Sequence, residues 1–155
     1  MLRQNIITAI LLASLFVNSS SHAEKELTNL ESLEWENRII LIRVLDTKLA
    51  PDQIHTRTRC EQTIETLKNA QVDIDDRNVV WFVICTPQVT SNYPGAISPS
   101  LTNHIEQRYF NAQQENSIVL IGKDGDVKYT AKRFDLQIIN DRIDSMPMRQ
   151  AEMLE

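Results

Sequence analysis

No block of lysine or arginine occurs anywhere in this 155-residue chain, and its 16 basic side chains are outnumbered by 21 acidic ones, for a net charge of −5. Such a chain is repelled by phosphate backbones and by anionic headgroups, which argues against a nucleic-acid or membrane-surface partner. Glycine is scarce, at three residues, and none stands in a Gly-rich loop that could cradle phosphate. The cysteines and histidines show no zinc-ligand spacing, and no nucleophile is paired with a base. After residue 17 there is no second long apolar run, no repeat and no low-complexity tract.

The beginning of the chain has a different character. Arg3 precedes an apolar run from Ile6 to Val17, and a polar stretch follows that closes on Ser21-His22-Ala23. This is the layout of a signal peptide, with cleavage expected before Glu24. The apolar run of about twelve residues falls short of the roughly twenty needed to span a bilayer. No cysteine lies near the cleavage point, as a lipoprotein would need. Residues 1–23 are thus expected to be removed, leaving one domain over 24–155 with no transmembrane helix, in the periplasm or secreted. Removal takes away Arg3 and no acidic residue, so 15 basic side chains face 21 acidic ones and the charge becomes −6.

Within 24–155, Leu27, Leu30 and Leu33 recur at helical spacing and predict a short helical lead-in. Arg38–Val44 and Asn78–Cys85 are short apolar runs rich in β-branched residues, the pattern of strands covered on both faces. Between them, Pro51-Asp52 opens a segment in which Cys60, Ile64 and Leu67 share one helical face, ending near Ala70. A loop rich in proline and serine comes next. Ser98-Pro99 then predicts the cap and first residue of a helix bearing Leu101, Ile105 and Tyr109. Lys123-Asp124-Gly125 lies between two β-rich runs, the signal of a hairpin with a type I′ turn. Asp135 caps a last helix with Leu136, Ile139, Ile143 and Met146 on one stripe, and Pro147 must stop or kink it.

Two motifs in the last forty residues are distinctive: Gly122-Lys-Asp-Gly-Asp126 and Ile143-Asp-Ser-Met-Pro-Met-Arg149. They resemble a family of thioredoxin-like domains of unknown function, found in exported bacterial proteins and in vertebrate extracellular sushi-repeat and coiled-coil-containing proteins. The resemblance implies an α/β fold of order β-α-β-α-β-β-α around a four-stranded mixed sheet, and an exported location. It implies no activity. Asp126 stands where the family more often has a second glycine.

A thioredoxin-type site needs a thiolate at the start of the first helix, where the dipole and backbone N–H groups activate it. The expected position, Leu45 to Asp52, holds no cysteine, and Ala112–Ser117 lacks the proline that precedes the hairpin in such proteins. Cys60 is placed two turns into the helix, facing the sheet, and Cys85 at the end of a strand. Standard rises put the two roughly 8 Å apart in height. That favours two separate core thiols over a structural bridge, while an activated redox pair is the third possibility.

The residues therefore point to a non-catalytic exported module with no cofactor and no bound metal, which recognises a protein or envelope component. Its candidate contact residues are Lys123, Asp124, Gly125 and Lys128 at the hairpin tip, and Asp144, Met146, Pro147, Met148, Arg149 and Glu152 at the end. For the tip the plain alternative is turn chemistry. For the ending it is a latch, with methionines filling gaps and Asp144, Arg149 and Glu152 paired at the surface. Two other functions stay open: a thiol-disulfide or peroxide oxidoreductase using Cys60 and Cys85, and copper handling by Met146 and Met148, with Met153 and His104 or His55 in support.

Overall fold

The two β-branched runs lie side by side at the centre of the molecule. In the computed structural model, which describes residues 26–44, 58–86, 88–110 and 117–154, β1 (Arg38–Arg43) pairs in parallel with β2 (Val79–Cys85), Arg38 opposite Val79. The crossover between them includes α1 (Arg59–Asn69) and α2 (Gln71–Asp76). β3 (Gln88–Ser91) runs antiparallel along the outer edge of β2. α3 (Pro99–Tyr109) leads to the hairpin β4 (Ile118–Ile121) and β5 (Val127–Ala131), which joins the sheet through antiparallel pairing of β4 with β1. α4 (Leu136–Asp144) and α5 (Pro147–Glu152) close the described chain. The sheet order is β3-β2-β1-β4-β5.

Among the described residues this is an α/β arrangement with a mixed sheet of five strands, one more than the four expected. The added strand, β3, is short and only partly covered, so its Gln-Val-Thr-Ser composition gave no apolar alternation to read. Alternation along the central strands divides the core into two layers. Ile39, Leu41, Phe82, Ile84, Val119 and Ile121 face Leu101 and Ile105 of α3. Ile40, Ile42, Trp81, Val83, Ile118 and Leu120 face Leu67, Ile74, Ile139 and Ile143 of α1, α2 and α4. Each such side chain removed from water contributes about 1.5–3 kcal/mol before entropy is charged against it.

Local signals set the helix ends. Ser98 accepts from the Leu101 N–H with Pro99 following it, and Asp135 accepts from the Ile138 N–H. Pro147 is the first residue of α5, and Met146 before it is extended (φ −74°, ψ 137°). The lead-in differs from expectation: only Glu31–Leu33 forms a 3₁₀ turn, while Leu27 makes an isolated bridge to Ile97. All three leucines are buried nonetheless, so their spacing reported burial without a continuous helix. The hairpin tip also differs. Only Gly125 has a positive φ (79°), with Gly122 donating to the Asp126 carbonyl and accepting from the Gly125 N–H. That is a three-residue loop in place of a type I′ turn.

Among the described residues two non-glycines have positive φ, Asn78 (50°), a residue type that tolerates it, and the bulky Trp35. Its φ is 67°, its side chain is 66% exposed, and its N–H donates to the Lys123 carbonyl at 2.6 Å. A bulky residue in left-handed backbone costs roughly 1 kcal/mol, and this one recovers little by packing. Trp35→Gly is expected to raise stability by about 1 kcal/mol in urea titration; a loss of similar size would show that the indole is held by contacts worth more than the strain.

Candidate functional site

The amino-terminal turn of α1 is built by Thr58. Its Oγ1 accepts from the Glu61 N–H at 3.2 Å and its own N–H donates to the Glu61 carboxylate at 3.0 Å, a reciprocal cap that starts the helix at Arg59. Cys60 is therefore the second helical residue, not one two turns along. Cys60 still packs toward the sheet, as expected, but in the first turn of its helix and half-buried, because the helix that holds it begins at Arg59 with Thr58 extended; residues 45–57, and with them Leu45 to Asp52 and His55, lie outside the described residues. With Cys60 in the first turn, its height matches the end of β2, and the two cysteines are joined. Cys60 and Cys85 form a disulfide with their Cα atoms 6.2 Å apart, inside the normal range.

Both cysteines are half-buried, packed at the margin of the layer containing Leu67 and Val83. The bridge thus ties the last residue of β2 to the positive end of an eleven-residue helix. Free N–H groups and the dipole at such an end favour a thiolate. Glu61 opposes this, but its carboxylate is directed at the Thr58 N–H. Arg59, the neighbouring residue, adds positive charge on the exposed side.

At the opposite end of the sheet, the two distinctive motifs meet. Arg38 opens β1 with its side chain 1% exposed. It donates to the Arg77 carbonyl at 2.8 Å and to both Glu152 carboxylate oxygens at 3.1 and 3.2 Å. Lys123 from the hairpin tip reaches the same carboxylate at 2.8 Å. Burial works to raise the Glu152 pKa, but hydrogen bonds from Lys123 and Arg38 outweigh it and hold the group below its usual value.

Asp144 receives Arg77 at 2.7 and 3.0 Å and Arg149 at 3.4 Å. The Arg77 hydrogen bonds chiefly depress its pKa, and the same contact raises that of Arg77. Arg149 is buried, pairing also with Asp76 and lying 3.8 Å from Glu152.

This arrangement fastens α4 and α5 to the sheet, as a latch would, although Arg149 is buried instead of lying at the surface. Met146 packs against the α1–α4 layer, while Met148 and Met153 are 40% and 52% exposed. Asp124 and Lys128 pair with each other at 2.5 Å, which lowers the Asp124 pKa and raises that of Lys128. A Cβ on Gly125 would meet only the flexible end of the Glu34 side chain, at 2.5 Å, so it is the φ of 79° that calls for glycine here. His104 is exposed on α3, on the other face of the sheet from Met146, so the structure does not bring these two copper candidates together. Among the described residues, no three His, Cys, Asp or Glu side chains form a metal-binding group, and no helix is long and apolar enough to cross a membrane.

Sequence reasoning missed Arg38, Arg77 and Asp76. The available signal was an arginine opening an otherwise apolar strand, since a charge at a buried position demands a partner. An α/β fold with a mixed five-stranded sheet and a half-buried disulfide at the start of α1 defines the structural class. Over residues 29–152 the chain matches the family model described as Domain of unknown function (DUF4174), and it belongs to that family. Thioredoxin peroxidase I of Plasmodium yoelii is a solved structure similar to it at 17% identity, covering 79% of each chain with a TM-score of 0.49. No curated protein matches the chain by sequence.

Proposed function

We propose that the protein is an exported thiol-disulfide exchange module whose working pair is Cys60 and Cys85. One observation carries this reading: the bridge joins the first turn of α1 to the end of β2, where Cys60 has the electrostatic support a nucleophilic sulfur needs. In the reduced protein the Cys60 thiolate attacks one sulfur of a substrate disulfide. A Cys60–substrate bond forms, the substrate S–S bond breaks, and one substrate thiolate leaves and takes a proton. The Cys85 thiolate then attacks Cys60 Sγ, closing the bridge and releasing the second substrate thiol. Two electrons pass from the cysteines to the substrate, and the bridged protein is the oxidised product. The signal-peptide layout supports an oxidising compartment, in which this form persists.

The competing reading is a non-catalytic envelope module in which the bridge is a staple. Equilibrating the folded protein in glutathione buffers of graded ratio, with acid quenching and counting of free thiols, separates the two. Exchange is expected to reach equilibrium while far-UV circular dichroism stays native. A bridge that opens only when the protein unfolds would establish the staple.

A further inference from the structure

Backbone hydrogen bonds hold the turn that carries Trp35. Its N–H donates to the Lys123 carbonyl at 2.6 Å, and the Asn37 N–H closes the turn on the Leu33 carbonyl at 2.9 Å. Glycine would make the same bonds without the cost of a φ of 67°. Local folding thus gives no reason for an indole at this position. Among the described residues Trp35 is the one exposed aromatic, and strain kept at an exposed side chain points to a role outside the fold.

The residues on either side of it, Glu34 and Glu36, are acidic, and the cations nearby are already used. The Glu34 carboxylate lies over Gly125 at the hairpin tip, and Glu36 is exposed. At that tip Lys123 pairs with Glu152 at 2.8 Å and Lys128 with Asp124 at 2.5 Å. Asp126 stays 78% exposed, with Lys128 at 3.5 Å. Among the described residues neither Glu34 nor Glu36 has an ion-pair partner. An indole between two carboxylate-bearing residues suits an organic cation. A guanidinium suits it best, because it is flat and weakly hydrated, stacks on a ring and still directs its N–H groups to carboxylates. Met153 and Leu154 follow Glu152 at this same end of the sheet and are exposed, so apolar neighbours of the cation have a surface to rest on.

We infer that the Trp35 turn and the hairpin tip form a docking surface for a cationic polypeptide segment, with an arginine side chain of the partner laid on the indole. The surface lies at the opposite end of the sheet from Cys60 and Cys85, and it does not depend on exchange chemistry there. An excess of 21 acidic over 16 basic side chains attracts any cation, so the indole has to be separated from the net charge.

Dye-labelled short peptides with central arginines, lysines or glutamines between glycines, titrated with the bridged protein and followed by fluorescence anisotropy, make that separation. The arginine peptide is expected to bind more tightly than the lysine peptide of equal charge, and the glutamine peptide not to bind. Trp35→Gly should weaken the arginine peptide by about tenfold or more, as loss of a central aromatic anchor does, with far-UV circular dichroism unchanged. Trp35→Phe should keep part of the affinity, and Glu34→Gln/Glu36→Gln should lower it and flatten its salt dependence. An arginine peptide that binds Trp35→Gly as well as the unaltered protein shows attraction by net charge alone and overturns the inference. So does an arginine peptide that does not bind, or an affinity that the paired glutamate substitutions leave unchanged. Phosphatidylcholine vesicles that bind through Trp35 in preference to the arginine peptide overturn it in favour of a lipid headgroup.

Discussion

Replacing Glu152 by alanine is expected to destabilise the protein by about 3 kcal/mol, the largest effect of any single surface-proximal substitution in the ending. Arg38 is 1% exposed and Glu152 is 25% exposed. Removing the carboxylate leaves a buried guanidinium with the Arg77 carbonyl as its other hydrogen-bond partner. Breaking such a pair from one side costs about 3–5 kcal/mol, and partial access of water at Glu152 places this case at the low end. Lys123 loses its contact in the same step. Urea unfolding of Glu152→Ala, Arg38→Met and the double variant measures the coupling, and the double variant should lose much less than the sum of the singles.

The same contacts set the acid response. The Glu152 and Asp144 pKa values are lowered in the folded state, so their contribution is full above the unfolded carboxylate range near about pH 4. It fades as pH falls through the lowered folded values. Glu152→Ala should therefore shed part of the acid-induced loss of stability along with the stability itself.

Opening the bridge is expected to produce the second-largest change. The cysteines are 25 residues apart in sequence, and closing a loop of that length stabilises the fold by about 3 kcal/mol in the chain-entropy description. Reduction, Cys60→Ser and Cys85→Ser should each lower stability by roughly that amount, about 10 °C in Tm for a domain of this size. The three should be alike in stability and unlike in reactivity, because only Cys60 sits at the start of a helix. Equal reactivity of the thiols left in Cys60→Ser and Cys85→Ser would remove the reason to assign Cys60 as nucleophile.

The central sheet was readable because β1, β2 and β4 are nearly pure runs of Ile, Val, Leu and aromatics, and burial on both faces writes itself into composition. The caps at Ser98 and Asp135, and the break at Pro147, were readable because each is a local interaction within four residues. What failed was the start of α1. The helix that holds Cys60 begins at Arg59 through the reciprocal hydrogen bonds of Thr58 and Glu61, written in the sequence as Thr-x-x-Glu, whereas an entry at Pro51-Asp52 falls outside the described residues. That one error of about two turns carried Cys60 away from Cys85 and made the bridge look too long. The latch was half legible: the pairing of Arg149 with Asp144 follows from local spacing, whereas Arg38 with Glu152 spans 114 positions and no local pattern reports it.

The ionisation of Cys60 in the Cys85→Ser protein tests the central claim most directly. Thiolate absorbance followed against pH is expected to give a midpoint clearly below the ordinary thiol value of about 8.5, as the positive end of α1 and Arg59 together require. A midpoint at or above that value would contradict the account, leaving a sulfur that the helix does not activate and a bridge that only fastens the chain.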